Sequence, residues 1–145
     1  MRGSRIYISG MNIINIGTRR GGKVLVACGC RDAGRELAVK VFDYFAKSER
    51  VVRDVWLVIH GASGDVDLAV SDAWVDADGL CVTRAYPADW RRYGKKAGPI
   101  RNEEMAKEAN ICFALWDGES RGTLDMIRRA DNHGLGLYVY TFSSE

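Results

Sequence analysis

The sequence predicts an α/β fold with a mainly parallel five-stranded sheet, and three observations carry that prediction. Five short apolar runs recur along the chain, segments of helical period separate them, and the turns after the runs are rich in glycine. Strands joined through helices of roughly 10–15 residues need crossover connections, which makes the sheet parallel and covers both its faces.

Lys23-Val-Leu-Val-Ala-Cys28 is a continuous apolar run followed by Gly29, the pattern of a strand buried on both sides. Asp32 is placed to cap a helix running to about Lys47, whose residues Leu37, Val41 and Phe45, with Ala38 and Phe42, line one face. Val55-Trp-Leu-Val-Ile59 is the second strand and runs into His60-Gly-Ala-Ser-Gly64, too glycine-rich to continue it. Val66, Ala69, Val70 and Ala73 then repeat with helical spacing. Leu80 to Tyr86 is a third strand closed by Pro87, and residues 88–98 are irregular. Pro99 opens a helix to about Ala109, because a first-turn residue loses nothing by lacking an N–H. Ile111-Cys-Phe-Ala-Leu-Trp116 is the fourth strand; Asp117 to Gly122 leads into a helix ended by Gly134 as its C′ residue, and Leu137 to Thr141 closes the sheet.

These elements describe a single Rossmann-like three-layer domain over residues 23–145. Residues 1–22 form an N-terminal extension. Arg5 to Ile8 and Asn12 to Ile16, flanking Ser9-Gly10, leave three options open: a β-hairpin at a sheet edge, a strand paired with another subunit, or a disordered extension.

The chain has 145 residues, a net charge of +2, 47% hydrophobic and 28% charged residues, which suits one domain with its own core. No apolar run approaches the roughly 20 residues of a membrane span, and Asn12, Asn15 and Gly17 break the only N-terminal stretch resembling a signal peptide. Cys28, Cys30, Cys81 and Cys112 form no C-x-x-C pair, and there are only two histidines, so no metal or other cofactor is expected. A reduced, cytoplasmic protein is expected. Cys30 lacks an evident base partner, and His133 falls in the last turn of a helix, where its charge complements the dipole.

Charge is unevenly distributed. Arg84, Arg91, Arg92, Lys95, Lys96 and Arg101 face the single acid Asp89, a local +5, while the rest of the chain carries −3. That balance suits a small anion better than a long nucleic acid, whose binders carry an overall basic footprint; a solvated basic loop is the plain alternative.

Ligands of open parallel sheets bind beyond the carboxyl ends of the strands. Three turns meet that edge: Gly29-Cys-Arg31-Asp32, Gly61-Ala62-Ser63-Gly64 and Asp117-Gly118-Glu119-Ser120-Arg-Gly122-Thr123. Their N–H groups at helix N-termini attract phosphate, although none matches the dinucleotide or P-loop fingerprints. Arg101 and Asn102, behind Gly98 and Pro99, add a guanidinium for phosphate oxygens and an amide for a sugar hydroxyl or base edge. Trp90 and Tyr93 are candidates to stack on a base or cover the site, against the alternative that Trp90 packs on the core and Arg101 pairs with Glu104 or Glu108. His60, ending the second strand, is either a ligand contact or a hydrogen-bonded structural residue.

Val24-Leu-Val-x-x-Gly-x-Arg-Asp32, His60-Gly-Ala-x-Gly64 with Leu68, Ala69 and Trp74, Pro87-Ala-Asp-Trp90, Ala97-Gly-Pro-Ile-Arg-Asn-x-x-Met105 and Gly122-Thr123 occur in that order. Together, from Lys23 to about Thr141, they resemble the YspA-like (cpYpsA-related) branch of the SLOG superfamily. The resemblance implies a Rossmann-like fold, self-association into a homo-oligomer, and a pocket for a nucleotide or nucleotide-derived signal, often in phage or mobile-element conflict with a host. Carried over position by position, it implies ligand contacts at Gly29, Arg31, Asp32, Gly61, Gly64, Arg101, Asn102, Gly122 and Thr123. One position departs: the acidic residue of the family's second turn falls on Val66, between Asp65 and Asp67.

A related branch, the phosphoribohydrolases, carries P-G-G-x-G-T-x-x-E, and its catalytic glutamate position holds Met126, which cannot handle a proton. Asp125 lies about 100° away around the helix and is not expected to substitute; Asp117 and Glu119 remain as loop carboxylates. The expected function is therefore binding of a nucleotide-derived molecule, by sequestration or sensing. A nucleoside-phosphate N-glycosidase using Asp117, Glu119 or Asp125 is the alternative, and an interaction subunit acting through its N-terminal extension is the third option.

Overall fold

Strand β3 (Val24–Gly29) lies inside a seven-stranded sheet, between strands that are also parallel to it, and its middle residues are buried on both faces. The computed structural model describes residues 4–8, 11–17, 24–29, 33–48, 55–61 and 82–142. The strands are β1 (Ser4–Ile8), β2 (Met11–Gly17), β3, β4 (Leu57–His60), β5 (Val82–Ala85), β6 (Ile111–Trp116) and β7 (Gly136–Thr141). The helices are α1 (Gly34–Ser48), α2 (Ala97–Glu108) and α3 (Arg121–Asn132).

The sheet order is β1-β2-β7-β6-β3-β4-β5. Strands β3 to β7 are all parallel, so the expected five-stranded parallel sheet is present. Their spatial order runs outward from β3 to β5, then returns to β6 on the other side of β3. The order therefore reverses between β3 and β6, the place where open α/β sheets leave a crevice. In that register Gly29 pairs with Leu115 and His60 with Ala85, which aligns the carboxyl ends of four strands along one edge.

Alternation along each strand builds the two cores. Leu25 and Ala27 of β3, with Phe113 and Leu115 of β6 and Tyr138 of β7, face α1 through Ala38, Val41, Phe42 and Phe45. The rings of Phe42, Phe45, Phe113 and Tyr138 meet at centroid distances of 4.8–5.9 Å, within the range of favourable tilted and edge contacts. Val26, Cys28, Cys112, Ala114 and Val139 point the opposite way, against Met105 and Ala106 of α2 and Met126, Ile127 and Ala130 of α3. This double burial is why the runs read as unbroken apolar segments. Cys28 and Cys112 are buried within the second layer and are in no disulfide.

At the N-terminal end the structure contains a hairpin: β1 pairs antiparallel with β2, and β2 pairs antiparallel with β7. Between Asn15 and Gly17 the β2–β7 register shifts by an irregularity.

Of residues 88–98, read from sequence as irregular, 90–98 are instead helical. Asp89 accepts a bond from the Arg92 N–H to cap a single turn, Trp90–Tyr93, and a 3₁₀ turn, Gly94–Lys96, runs directly into α2. Gly94 at φ 59° provides the left-handed break between the two turns. Gly134, at φ 72°, follows α3 as anticipated. The helix expected around Val66–Ala73 lies outside the described residues, as do Cys30, Arg31, Asp32, Ala62, Ser63, Gly64 and Cys81.

Candidate functional site

A cleft of about 760 Å³ opens at the carboxyl edge of the sheet, over the point where strand order reverses. Gly29 and Cys28 form its β3 side, Gly61 its β4 side, and Gly98 and Pro99 bring in the start of α2. The β6–α3 connection contributes Asp117, Glu119, Ser120, Arg121, Gly122 and Thr123, and Trp90 stands at the mouth. Most sequence candidates within the described residues therefore share one hollow; Gly118 does not line it. Gly118 instead supplies the left-handed conformation, φ 86°, that lets the chain turn from β6 toward α3.

Local hydrogen bonds account for the shape of that turn. Asp117 Oδ1 accepts from the N–H groups of Glu119 and Ser120, at 2.9 and 2.8 Å. Trp116 Nε1 donates to the Ser120 carbonyl at 3.1 Å, and Ser120 Oγ reaches Thr123 Oγ1 at 3.3 Å. The first bond along α3 runs from Leu124 N–H to the Ser120 carbonyl, which leaves the N–H groups of Arg121, Gly122 and Thr123 outside the helical ladder. They sit at the positive end of the helix dipole, in residues that line the cleft.

Arg101 has a different role from a surface cation. It does not pair with Glu104 or Glu108. Its Nη1 donates to the carbonyls of Gly61, at 2.7 Å, and Tyr86, at 3.2 Å, while Nε donates to Asn102 Oδ1 at 3.1 Å. One guanidinium thus ties the ends of β4 and β5 to the first turn of α2. The tie requires glycine at position 61, since an added Cβ there would stand 2.7 Å from Arg101 Cζ. Asn102, 6% exposed, spends its amide inside the protein: Nδ2 donates to Asp125 Oδ2 at 3.0 Å and to the Gly122 carbonyl at 3.4 Å. The amide thus bridges α2 and α3 while the residue lines the cleft.

Asp125 also departs from expectation. Both it and Met126 line the cleft. Asp125 Oδ2 accepts from Arg129 Nε at 2.9 Å as well as from Asn102. Arg129 Nη1 continues to Glu103 Oε1 at 3.2 Å, and Glu103 Oε2 lies 2.8 Å from His133 Nε2. Polar contacts therefore run without a gap from Arg101 to His133 across the α2–α3 seam. The bond from His133, supported by Arg129, holds the Glu103 carboxyl below its usual 4.5. A lowered carboxyl stabilises the fold fully above pH 4.5, and the benefit disappears as pH falls through the native value. Glu103→Gln should therefore lower stability by about 0.5–1 kcal/mol at pH 6 and by progressively less as the pH falls below 4.5, read from thermal melts across that range.

Most of the basic stretch does not line the cleft. Arg91, Arg92, Lys95 and Lys96 are exposed on the two short turns, with the Arg92 guanidinium 5.1 Å from the Tyr93 ring centroid. Arg84 lies 3.5 Å from Glu108, whose carboxylate accepts from the Tyr86 hydroxyl; burial, then that bond, raises the Tyr86 pKa. Only Arg101 of this stretch lines the cleft, so the solvated-loop alternative describes most of it. Trp90 is 58% exposed and does not pack on the core; its Cη2 would lie 3.5 Å from a Cβ at Gly98. His60 is buried at the end of β4, and its carbonyl accepts from the Tyr86 N–H at 2.7 Å.

The cleft has mixed charge, with Arg101 and Arg121 opposite Asp117, Glu119 and Asp125. Sequence reading passed over Arg121. The available signal was its place in the first turn of α3, immediately before Gly122-Thr123. Among the described residues, no group of three or more histidine, cysteine or acidic side chains is arranged to hold a metal, and no helix is long and apolar enough to cross a membrane.

No protein-family profile matches the chain. Over 83 residues, 54% of this chain, it is 41% identical to the Gene 61 protein of Mycobacterium phage D29. The match spans 66% of that protein, just under two thirds of its length. Among solved structures, the C-terminal domain of a hydrogenase from Pyrococcus furiosus is similar at a TM-score of 0.44 with 11% identity, covering 86% of this chain and 95% of that one.

Proposed function

We propose that this protein binds a nucleotide or nucleotide-derived signalling molecule in the cleft and sequesters or senses it. The observation that carries the reading is the position of the cleft at the reversal of strand order, with the starts of both α2 and α3 opening into it. Helix N-termini at such a crevice favour phosphate, and a half-exposed indole at the mouth suits a base. The volume lies within the range of small-molecule sites. The similarity to a phage protein is in keeping with a role in conflict between a mobile element and its host.

Calorimetric titration with nucleoside mono- and diphosphates, cyclic nucleotides, ADP-ribose and NAD tests the reading. Saturable binding of at least one is expected, and its absence across the panel overturns the proposal.

A second reading, a nucleoside-phosphate N-glycosidase, draws on the three carboxylates that line the cleft. Binding is preferred because Asp117 is committed to two backbone N–H groups and Asp125 to Asn102 and Arg129, while the position of the family's glutamate is the buried Met126. Free base released from a nucleoside monophosphate, and abolished by Glu119→Gln, would reverse that preference.

A further inference from the structure

We infer that Arg121, rather than Arg101, is the side chain that grips the phosphate of the bound nucleotide; the inference rests on the reading above that the cleft takes such a ligand. Two guanidinium groups line the cleft, and they are engaged in opposite ways. Arg101 is directed into the wall, its Nη1 shared between two backbone carbonyls and its Nε on Asn102. It holds the cleft in shape. Arg121 is exposed and makes no hydrogen bond or ion pair among the described residues.

The neighbouring acids do not engage it. Asp125 is held by Asn102 and Arg129, and Asp117 Oδ1 takes the N–H groups of Glu119 and Ser120. Arg121 therefore stands beside the N–H groups of α3 that no carbonyl accepts from, with its planar fork available for two oxygens. A phosphate placed there would receive main-chain and guanidinium donors at once. This assigns the phosphate end of the ligand to the start of α3 and the base end toward Trp90. It also makes phosphate, rather than the nucleoside, the main determinant of affinity.

The test is a cycle in which the side chain and the phosphate are each removed. Wild type, Arg121→Ala and Arg121→Lys are titrated with each ribonucleoside 5′-monophosphate and with the matching nucleoside, and their melting temperatures are compared. Arg121→Ala is expected to weaken monophosphate binding by about 10- to 100-fold, to leave nucleoside binding unchanged, and to melt with wild type. Arg121→Lys is expected to fall between, because it keeps the charge and loses the fork. Unchanged monophosphate affinity in Arg121→Ala, or an equal loss for nucleoside and monophosphate, overturns the assignment while leaving the binding reading intact. Failure of wild type to bind any monophosphate, any nucleoside or the wider panel overturns both.

Discussion

Gly122→Asp is expected to strengthen α3 slightly and to abolish most ligand binding. A Cβ at Gly122 meets nothing within 4 Å, and the residue lines the cleft in the first turn of α3. A carboxylate there complements the helix dipole, worth about 0.3–1 kcal/mol in favour of folding. The same charge faces an incoming phosphate. Repulsion between unit charges about 4 Å apart costs between about 1 kcal/mol in a fully watery setting and about 4 kcal/mol at an effective dielectric of 20. Affinity for a phosphorylated ligand should therefore fall by roughly 5- to 1000-fold while the melting temperature holds or rises. The opposite signs distinguish the site from the scaffold. A variant that binds as wild type removes the start of α3 from the site, and one that melts early shows that the position is structural.

Arg101→Ala is expected to damage the scaffold itself. Truncation leaves the buried Gly61 and the Tyr86 carbonyl without their shared donor, and removes the Nε partner of Asn102 Oδ1. Losing charge-assisted bonds of this kind costs about 2–4 kcal/mol, which for a chain of this size lowers the melting temperature by roughly 6–16 °C. Gly61→Ala should reproduce much of that loss without touching the arginine, because its Cβ would occupy the space of the guanidinium. Weaker ligand binding in Arg101→Ala would therefore accompany a loosened fold, whereas Arg121→Ala would show it alone. Melts of the three variants, run together, separate the two arginines. A stable Arg101→Ala protein would mean that the β4 and β5 ends are held by other bonds.

The parallel sheet was legible because double burial leaves so direct a trace. A strand covered on both faces must be apolar at every position, and Val24 to Cys28, Leu57 to Ile59 and Ile111 to Leu115 are. Gly134 was legible for a similar reason, since only glycine enters the left-handed region there without cost. The destinations of Arg101 and Asn102 were not. Their main acceptors include the carbonyls of Gly61, Tyr86 and Gly122, and a main-chain oxygen leaves no mark in the residue type that carries it. The turns at 90–96 were hidden because Gly94 and the nearby Pro87 suggest a loop, while the Asp89 cap acts through a bond between a side chain and the main chain. Arg121 was hidden because its place in the cleft and its lack of a partner among the described residues arise from the packing of α3, not from its residue type.

The hairpin beside β7 has a consequence for assembly. With strands about 4.8 Å apart, β1 lies roughly 14 Å beyond β6, on the margin away from β3. The outward side of β1 is paired with no strand among the described residues, so a second chain could extend the sheet there without crossing the entrance to the cleft. Stoichiometry and occupancy would then be independent quantities: a dimer joined through that margin would take up two ligand molecules with the affinity of the monomer.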